Sequence, residues 1–303
     1  MEGTVAVTGA TGFIGRALLQ RLQENHWRVR ALTRRPRLNT DAIHWVSGDL
    51  DDRAALRELL VGASAVVHCA GAVRGRSARQ FNHTNVAGTE NLVKACLEQD
   101  AAPRFLLMSS LAARQPELSW YANSKRMAEQ VLADRAQSMP WAAFRPTAVY
   151  GPGDRELLPL FRFTRRGTLP LPGRINTRVG LLHVTDLVAA IGCWLAAPEP
   201  VSGIFELDDG RPGGYDRESL AAIAQAVWNR PVRVQALPAR LILLAATVNL
   251  GLACVLRYAP MLTPGKVREL LHPDWVCDNT PLLAALPDWQ PTLTPGETLP
   301  HLL

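Results

Sequence analysis

Thr4-Val5-Ala6-Val7-Thr8-Gly9-Ala10-Thr11-Gly12-Phe13-Ile14-Gly15 is the stretch on which the fold turns. A short apolar run passes through glycines spaced Gly-x-x-Gly-x-x-Gly into an amphipathic helical pattern over residues 13–25. Gly9 permits a tight turn, Gly12 lets backbone approach a pyrophosphate, and Gly15 lets helix and strand pack closely, with the phosphates at the helix's positive end. A lone glycine motif carries little weight, but strand, turn and helix in register read as a dinucleotide fingerprint. Gly9, Thr11, Gly12, Phe13, Ile14 and Gly15 are therefore expected to bind the cofactor.

Outward from this unit, residues 29–33 form a second strand, which should end at the adenosine ribose. A carboxylate there would chelate the ribose hydroxyls of NAD. The sequence has Arg34-Arg35-Pro36-Arg37 instead. With no acid to repel a 2′-phosphate and guanidinium groups to bind it, NADP(H) is expected on Arg34 and Arg35, with NAD(H) second and a merely solvated turn as the bland alternative.

Strand and helix patterns then alternate: a helical region at 50–61, a strand at 65–69, a helix at 85–99, a strand at 104–109, a helix at 121–137 and a strand at 141–145. This rhythm predicts an α/β fold, a Rossmann-type doubly wound parallel sheet covered on both faces. After Gly151-Pro152-Gly153 prolines and glycines crowd 159–173 and 208–214, interrupted by an apolar strand and a helix start near Asp186. The expected division is a nucleotide-binding domain of residues 1–165 and 181–200 and a smaller, discontinuous C-terminal substrate lobe of 166–180 and 201–303.

Composition narrows the function. The 303 residues are 48% hydrophobic and 20% charged, which excludes a disordered chain. The net charge of +6 comes from arginines, since only Lys94, Lys125 and Lys266 are lysines, and no basic helix or stripe points to nucleic acid. Five dispersed cysteines suggest neither disulfides nor a zinc site, so no metal is expected and a reducing cytoplasm fits. No signal peptide is read at the N-terminus. Residues 241–256 are mostly apolar but fall short of the roughly 20 that span a bilayer. A buried helix is the first reading of them, with a substrate lid or an interfacial membrane contact as the alternatives.

The chemical candidates lie on one helix and the strand before it. Tyr121 and Lys125 stand four apart and share a helical face, where an ammonium would lower the phenol from about 10 and let Tyr121 exchange a proton with a substrate oxygen. Ser109-Ser110 ends a strand at the sheet's ligand-binding edge, and Ser110 is preferred for polarising a carbonyl.

These pieces, with Gly48-Asp49-Leu50, His68-Cys69-Ala70-Gly71, Asn85-Val86-Ala87-Gly88-Thr89, Arg145–Gly153 and His183-Val184-Thr185-Asp186, resemble the extended short-chain dehydrogenase/reductases, the NAD-dependent epimerase/dehydratase family. The resemblance runs from Val5 to about Leu195. It implies that Ser110, Tyr121 and Lys125 are catalytic, that Asp49 and Leu50 border the adenine, that Ala70 and Gly71 line the cofactor, and that Lys125 and Tyr121 also reach the nicotinamide ribose. Pro146, Thr147 and Val149 would lie beside the nicotinamide. Asn85 is either a cofactor neighbour or a brace between strands, and His183 is read as a packed residue rather than a catalyst.

Two departures favour a reductase over a sugar-nucleotide enzyme. Only eleven positions separate Ser110 from Tyr121, and Arg178 stands five before His183 where the diphosphate-gripping arginine of those enzymes stands four before, which in a strand turns the side chain to the other face. The reading is an NADP(H)-dependent oxidoreductase moving a hydride to or from a carbonyl or alcohol carbon. A lipophilic or aromatic substrate is expected, because 241–256 resembles the apolar C-terminal region of hydroxysteroid-dehydrogenase-like relatives; Trp120 would extend the pocket or join the core. The alternatives are a nucleotide-sugar epimerase/dehydratase with retained NAD and a non-catalytic NADPH-binding subunit. A homodimer is a family expectation.

Overall fold

Val5, Ala6 and Val7 have no exposed surface, so this strand needs cover on both faces. Successive side chains alternate between faces: Val5 and Val7 join one hydrophobic cluster and Ala6 the other. The computed structural model describes residues 3–136, 139–173 and 177–302.

In chain order the strands are β1 (Thr4–Thr8), β2 (Arg28–Thr33), β3 (Ile43–Ser47), β4 (Ala63–His68), β5 (Arg104–Met108), β6 (Trp141–Pro146), β7 (Ala148–Tyr150), β8 (Thr168–Pro172), β9 (Arg178–Val179), β10 (Leu181–His183), β11 (Gly203–Leu207), β12 (Arg233–Leu237) and β13 (Asp274–Trp275). The helices are α1 (Phe13–Glu24), α2 (Arg53–Leu59), α3 (Ala78–Phe81), α4 (Gly88–Leu97), α5 (Trp120–Arg135), α6 (Leu158–Arg165), α7 (Val184–Ala196), α8 (Arg217–Trp228), α9 (Ala239–Leu256), α10 (Pro264–Leu271), α11 (Thr280–Ala285) and α12 (Pro295–Thr298).

Seven parallel strands form one sheet in the order β11-β6-β5-β4-β1-β2-β3. The chain leaves β1 for β2 and β3 on one side and returns to β4 on the other, so a switch point opens between the carboxyl ends of β1 and β4. One face is covered by α1 and α7 through Leu18, Leu22, Leu187, Ile191 and Trp194. The other is covered by α2, α4 and α5 through Leu56, Leu59, Leu92, Val93, Ala128 and Leu132.

The doubly wound fold holds, with three corrections to its parts. β3 was not read from the sequence: Ile43 and Val46 are buried, but half-buried His44 and Trp45 between them break the alternation. β11, assigned to the substrate lobe, is an edge strand of the main sheet beside β6, because Phe205 and Leu207 belong to the core under α7. The helix read over 50–61 contracts to α2, whose start is fixed by Asp52 accepting from the Ala55 backbone N–H. Gln137, where the helix from Tyr121 was expected to end, lies outside the described residues.

The remaining strands pair two by two, β7 with β10, β8 with β12 and β9 with β13, around small clusters centred on Tyr150, Phe161 and Tyr215 and on Leu169, Ala224 and Val232. α9 overturns the buried-helix expectation. Only Ala246 and Ala253 are buried, while Leu244 is 62% and Val255 78% exposed. Its eighteen residues have a mean hydropathy of 2.0, and by length and composition it could cross a membrane.

Candidate active site

The glycine turn is built as its spacing requires. Gly9 has φ +68, and a Cβ there would lie 2.5 Å from the Ala70 nitrogen. A Cβ on Gly15 would meet the Gly9 carbonyl oxygen at 2.1 Å, so α1 can approach the turn only with glycine at that position. Gly12 caps α1 with no side-chain hydrogen bond and no acid in the first turn, leaving the helix's N–H groups directed at the switch point. Thr11, Phe13 and Ile14 complete this turn.

Thr8 connects the turn to the neighbouring strand: its hydroxyl accepts from Ala70 N–H at 3.2 Å and meets His68 Nδ1 at 2.6 Å. Burial, and then the nearby Lys125 charge, push His68 down to about 3, so the ring is neutral between Thr8 and Thr89.

At the end of β2, Arg34 and Arg35 are both exposed, and the turn is pinned by the Thr33 hydroxyl donating to the Arg35 carbonyl at 2.8 Å. Among the described residues neither guanidinium has an ion-pair partner, whereas Arg37 stacks over Trp45 at 4.9 Å. Asp49 is exposed, with one carboxylate oxygen accepting from Asp51 N–H. Leu50 packs against Gly88, where a Cβ would come within 2.6 Å of it.

Asn85, in a π-helical turn (Asn82–Ala87) before α4, is a brace. Its side-chain oxygen accepts from Ala72 N–H at 2.6 Å, and its amide donates to the Ala72 carbonyl and to Ser124 Oγ at 2.8 Å. Gly71 is held so close that a Cβ would sit 3.1 Å from Lys125 Nζ. Ala72, next to Gly71, is thus tied to α5 through Asn85.

On α5, Ser119 caps the helix and Tyr121 follows at its start. Burial raises the Tyr121 phenol to about 12; a hydrogen bond with Ser110 opposes this and the Glu269 charge adds to it. Lys125 is buried and donates to the Met108 carbonyl at 2.8 Å. Burial lowers it to about 8, against the opposing charges of Cys69 and Glu129. The expectation that Lys125 lowers the phenol is therefore corrected: desolvation dominates at Tyr121, and the ammonium is directed at a backbone carbonyl.

Ser110 is half-buried and hydrogen-bonds Tyr121, whereas the Ser109 hydroxyl donates to Glu129 at 2.5 Å. Glu129 also receives two hydrogen bonds from Arg145, at 2.8 and 2.6 Å. Pro146 is buried, Val149 pairs in register with Leu182, and the Thr147 hydroxyl is the one buried side-chain polar atom without a hydrogen-bond partner among the described residues. His183 caps α7, its ring edge-on to Tyr150 at 5.2 Å. Trp120 is 41% exposed and outside the core. Arg178 donates to the Gly213 carbonyl at 3.2 Å.

Glu129, Ser124 and Glu269 were not read from the sequence, since a buried acid or hydroxyl on a helix has no pattern of its own. The Lys266–Glu269 spacing was the only visible trace of the last.

Residues 5–207 match the model of the "NAD dependent epimerase/dehydratase family". The chain belongs to this family. It is an NAD(P)-dependent oxidoreductase of the short-chain dehydrogenase/reductase type, and its uncapped α1 terminus, the glycine turn and the orphaned Thr147 hydroxyl fit a nicotinamide dinucleotide. The chain is 37% identical over 296 residues to a "Ceramide reductase" of Caulobacter vibrioides, covering 94% of this chain and 90% of the relative. It is 32% identical over 216 residues to a "2-alkyl-3-oxoalkanoate reductase" of Stenotrophomonas maltophilia, covering 63% and 64%. The fold is similar to "MoeE5 in complex with UDP-glucose and NAD", with a TM-score of 0.77 and 22% identity over 99% of this chain and 97% of that one.

Proposed function

We propose that this chain is an NADP(H)-dependent reductase of a ketone on a long-chain lipid of the ceramide class, acting through Ser110, Tyr121 and Lys125. The likeness to the ceramide reductase along nearly the whole chain, including the region beyond residue 207, carries this reading. The second relative's name also describes a 3-oxo group beside alkyl chains.

The dinucleotide, when bound on the glycine turn, Asp49, Leu50, Ala70, Gly71 and residues 146–149, supplies the hydride. Ser110 donates a hydrogen bond to the ketone oxygen, and the high phenol pKa keeps Tyr121 protonated as the donor to that oxygen. Lys125, charged below about 8, hydrogen-bonds the ribose. Arg34 and Arg35 bind the 2′-phosphate and set the preference for NADPH. Residues 166–180 and 201–303, apart from β11 and from Leu282, Leu286 and Trp289, which pack into the core of the sheet, form the substrate lobe.

The test is NADPH consumption by the purified chain with a 3-oxo ceramide and, separately, chromatographic detection of any epimer or dehydration product formed from UDP-glucose. Turnover of the lipid ketone that is lost in Tyr121→Phe, together with a preference for NADPH over NADH that collapses in Arg34→Ala/Arg35→Ala, supports the reading. Turnover of the sugar nucleotide alone refutes it.

A further inference from the structure

We infer that α9 docks this protein onto the surface of an anionic lipid bilayer, lying in the interface rather than crossing it. Leu241, Leu244, Val248, Leu252, Val255 and Leu256 are each at least half exposed, and at 3.6 residues per turn they share one stripe of about a third of the helix circumference, away from the buried Ala246 and Ala253. Water is a costly neighbour for such a surface, and apolar surroundings would remove that cost. The protein buries Ala246 and Ala253 and half-covers Ile242, Asn249 and Leu250 beside them, with Asn249 Nδ2 donating to the Leu262 carbonyl at 2.8 Å.

Charge selects the occupant. From Asn229 to His272 the basic residues are Arg230, Arg233, Arg240, Arg257, Lys266 and Arg268, and the only acid is Glu269. Glu269 is buried and accepts from Ser119 Oγ and Lys266 Nζ, so it offers no negative charge to the outside. Arg240 and Arg257 are exposed at the two ends of the apolar surface. An apolar helix bracketed by arginines fits acyl chains beneath anionic headgroups, whereas a second copy of the same face would set these like charges against one another.

Topology excludes a span. β12 enters α9 while paired along its length with β8, and α10 leaves it packed on the start of α5. Both ends of α9 are held on one side, so the helix lies flat. The same connection faces the site to the lipid: a Cβ on Gly265 would lie 2.8 Å from Ser119 Cβ, Arg268 Nε donates to the Leu118 carbonyl at 2.8 Å, and Ser119 caps the helix that carries Tyr121.

Flotation of the purified full chain with vesicles of phosphatidylcholine, with and without phosphatidylglycerol, tests this, with sedimentation of the protein alone as the second measurement. The expected result is flotation that increases with phosphatidylglycerol and decreases with salt. It should drop at least about tenfold in Leu244→Glu/Val248→Glu and lose its phosphatidylglycerol dependence in Arg240→Glu/Arg257→Glu, with NADPH binding unchanged in both. No flotation of wild type, equal flotation of wild type and Leu244→Glu/Val248→Glu, or a wild-type dimer that this variant dissociates without any flotation would each overturn the proposal. Binding is scored without turnover, so its failure leaves the reductase reading in place, and a failed ketone assay leaves the docking intact.

Discussion

Lys125 and Tyr121 are opposed titrations set by one cause. Burial raises the phenol and lowers the amine, and the amine is the one that changes charge near working pH. Turnover is expected to decline as pH rises through about 8, where Lys125 loses its proton, and a pH profile of kcat/KM checks it. Stability moves the other way. An unfolded lysine keeps its proton to about 10.4, so between about 8 and that value the unfolded state binds more protons and Lys125's contribution to stability rises with pH. Denaturant titrations should show that rise in wild type and not in Lys125→Met. Gly15 is constrained by shape alone: its Cβ would strike a backbone oxygen that cannot rotate away. Gly15→Ala should cost about 1–3 kcal/mol in denaturant unfolding and abolish dinucleotide binding.

At the scale of elements, α5 is the pivot of the site. Its inward face carries Ser124, Lys125 and Glu129, all polar and all buried, and each is satisfied by a partner on another element or on the turn before it. Glu129 clamps α5 to the ends of β5 and β6 through Ser109 and Arg145. Removing it takes two hydrogen bonds from the buried Arg145 guanidinium and leaves Glu206 at 3.8 Å as its acid partner, so Glu129→Ala should destabilise the fold by about 1–3 kcal/mol, read from chemical denaturation. It would also free the Ser109 hydroxyl. The clamp explains why Ser110, and not Ser109, remains available to Tyr121.

Across the whole molecule, the last part of the chain is secured to the nucleotide-binding sheet at one buried carboxylate. Asp186 at the start of α7 accepts from Thr292 N–H and Oγ1, each at 3.1 Å, and from Leu293 N–H at 2.9 Å, while Trp289 donates to its carbonyl. Trp289, Leu282 and Leu286 then join the core under β11. Asp186→Ala removes the acceptor of three donors on exposed Thr292 and half-buried Leu293 and should cost about 1 kcal/mol. Limited proteolysis should cut first in the segment after α11, where wild type resists.

The sequence by itself determined the doubly wound sheet, the glycine turn, the arginines after β2 and the Ser110, Tyr121 and Lys125 positions. Each is encoded in a short stretch by spacing, apolar period or the unique geometry of glycine. Only the tertiary structure decided that Asn85 braces Ala72 to α5, that Glu129 and Asp186 anchor distant segments, and that β11 belongs to the sheet. These depend on which residues meet across dozens of positions, and a buried acid has the same letter as a solvated one. α9 shows the limit most plainly. Its composition is that of a core helix, but composition does not say whether neighbours arrive to cover it, and here they bury only Ala246 and Ala253.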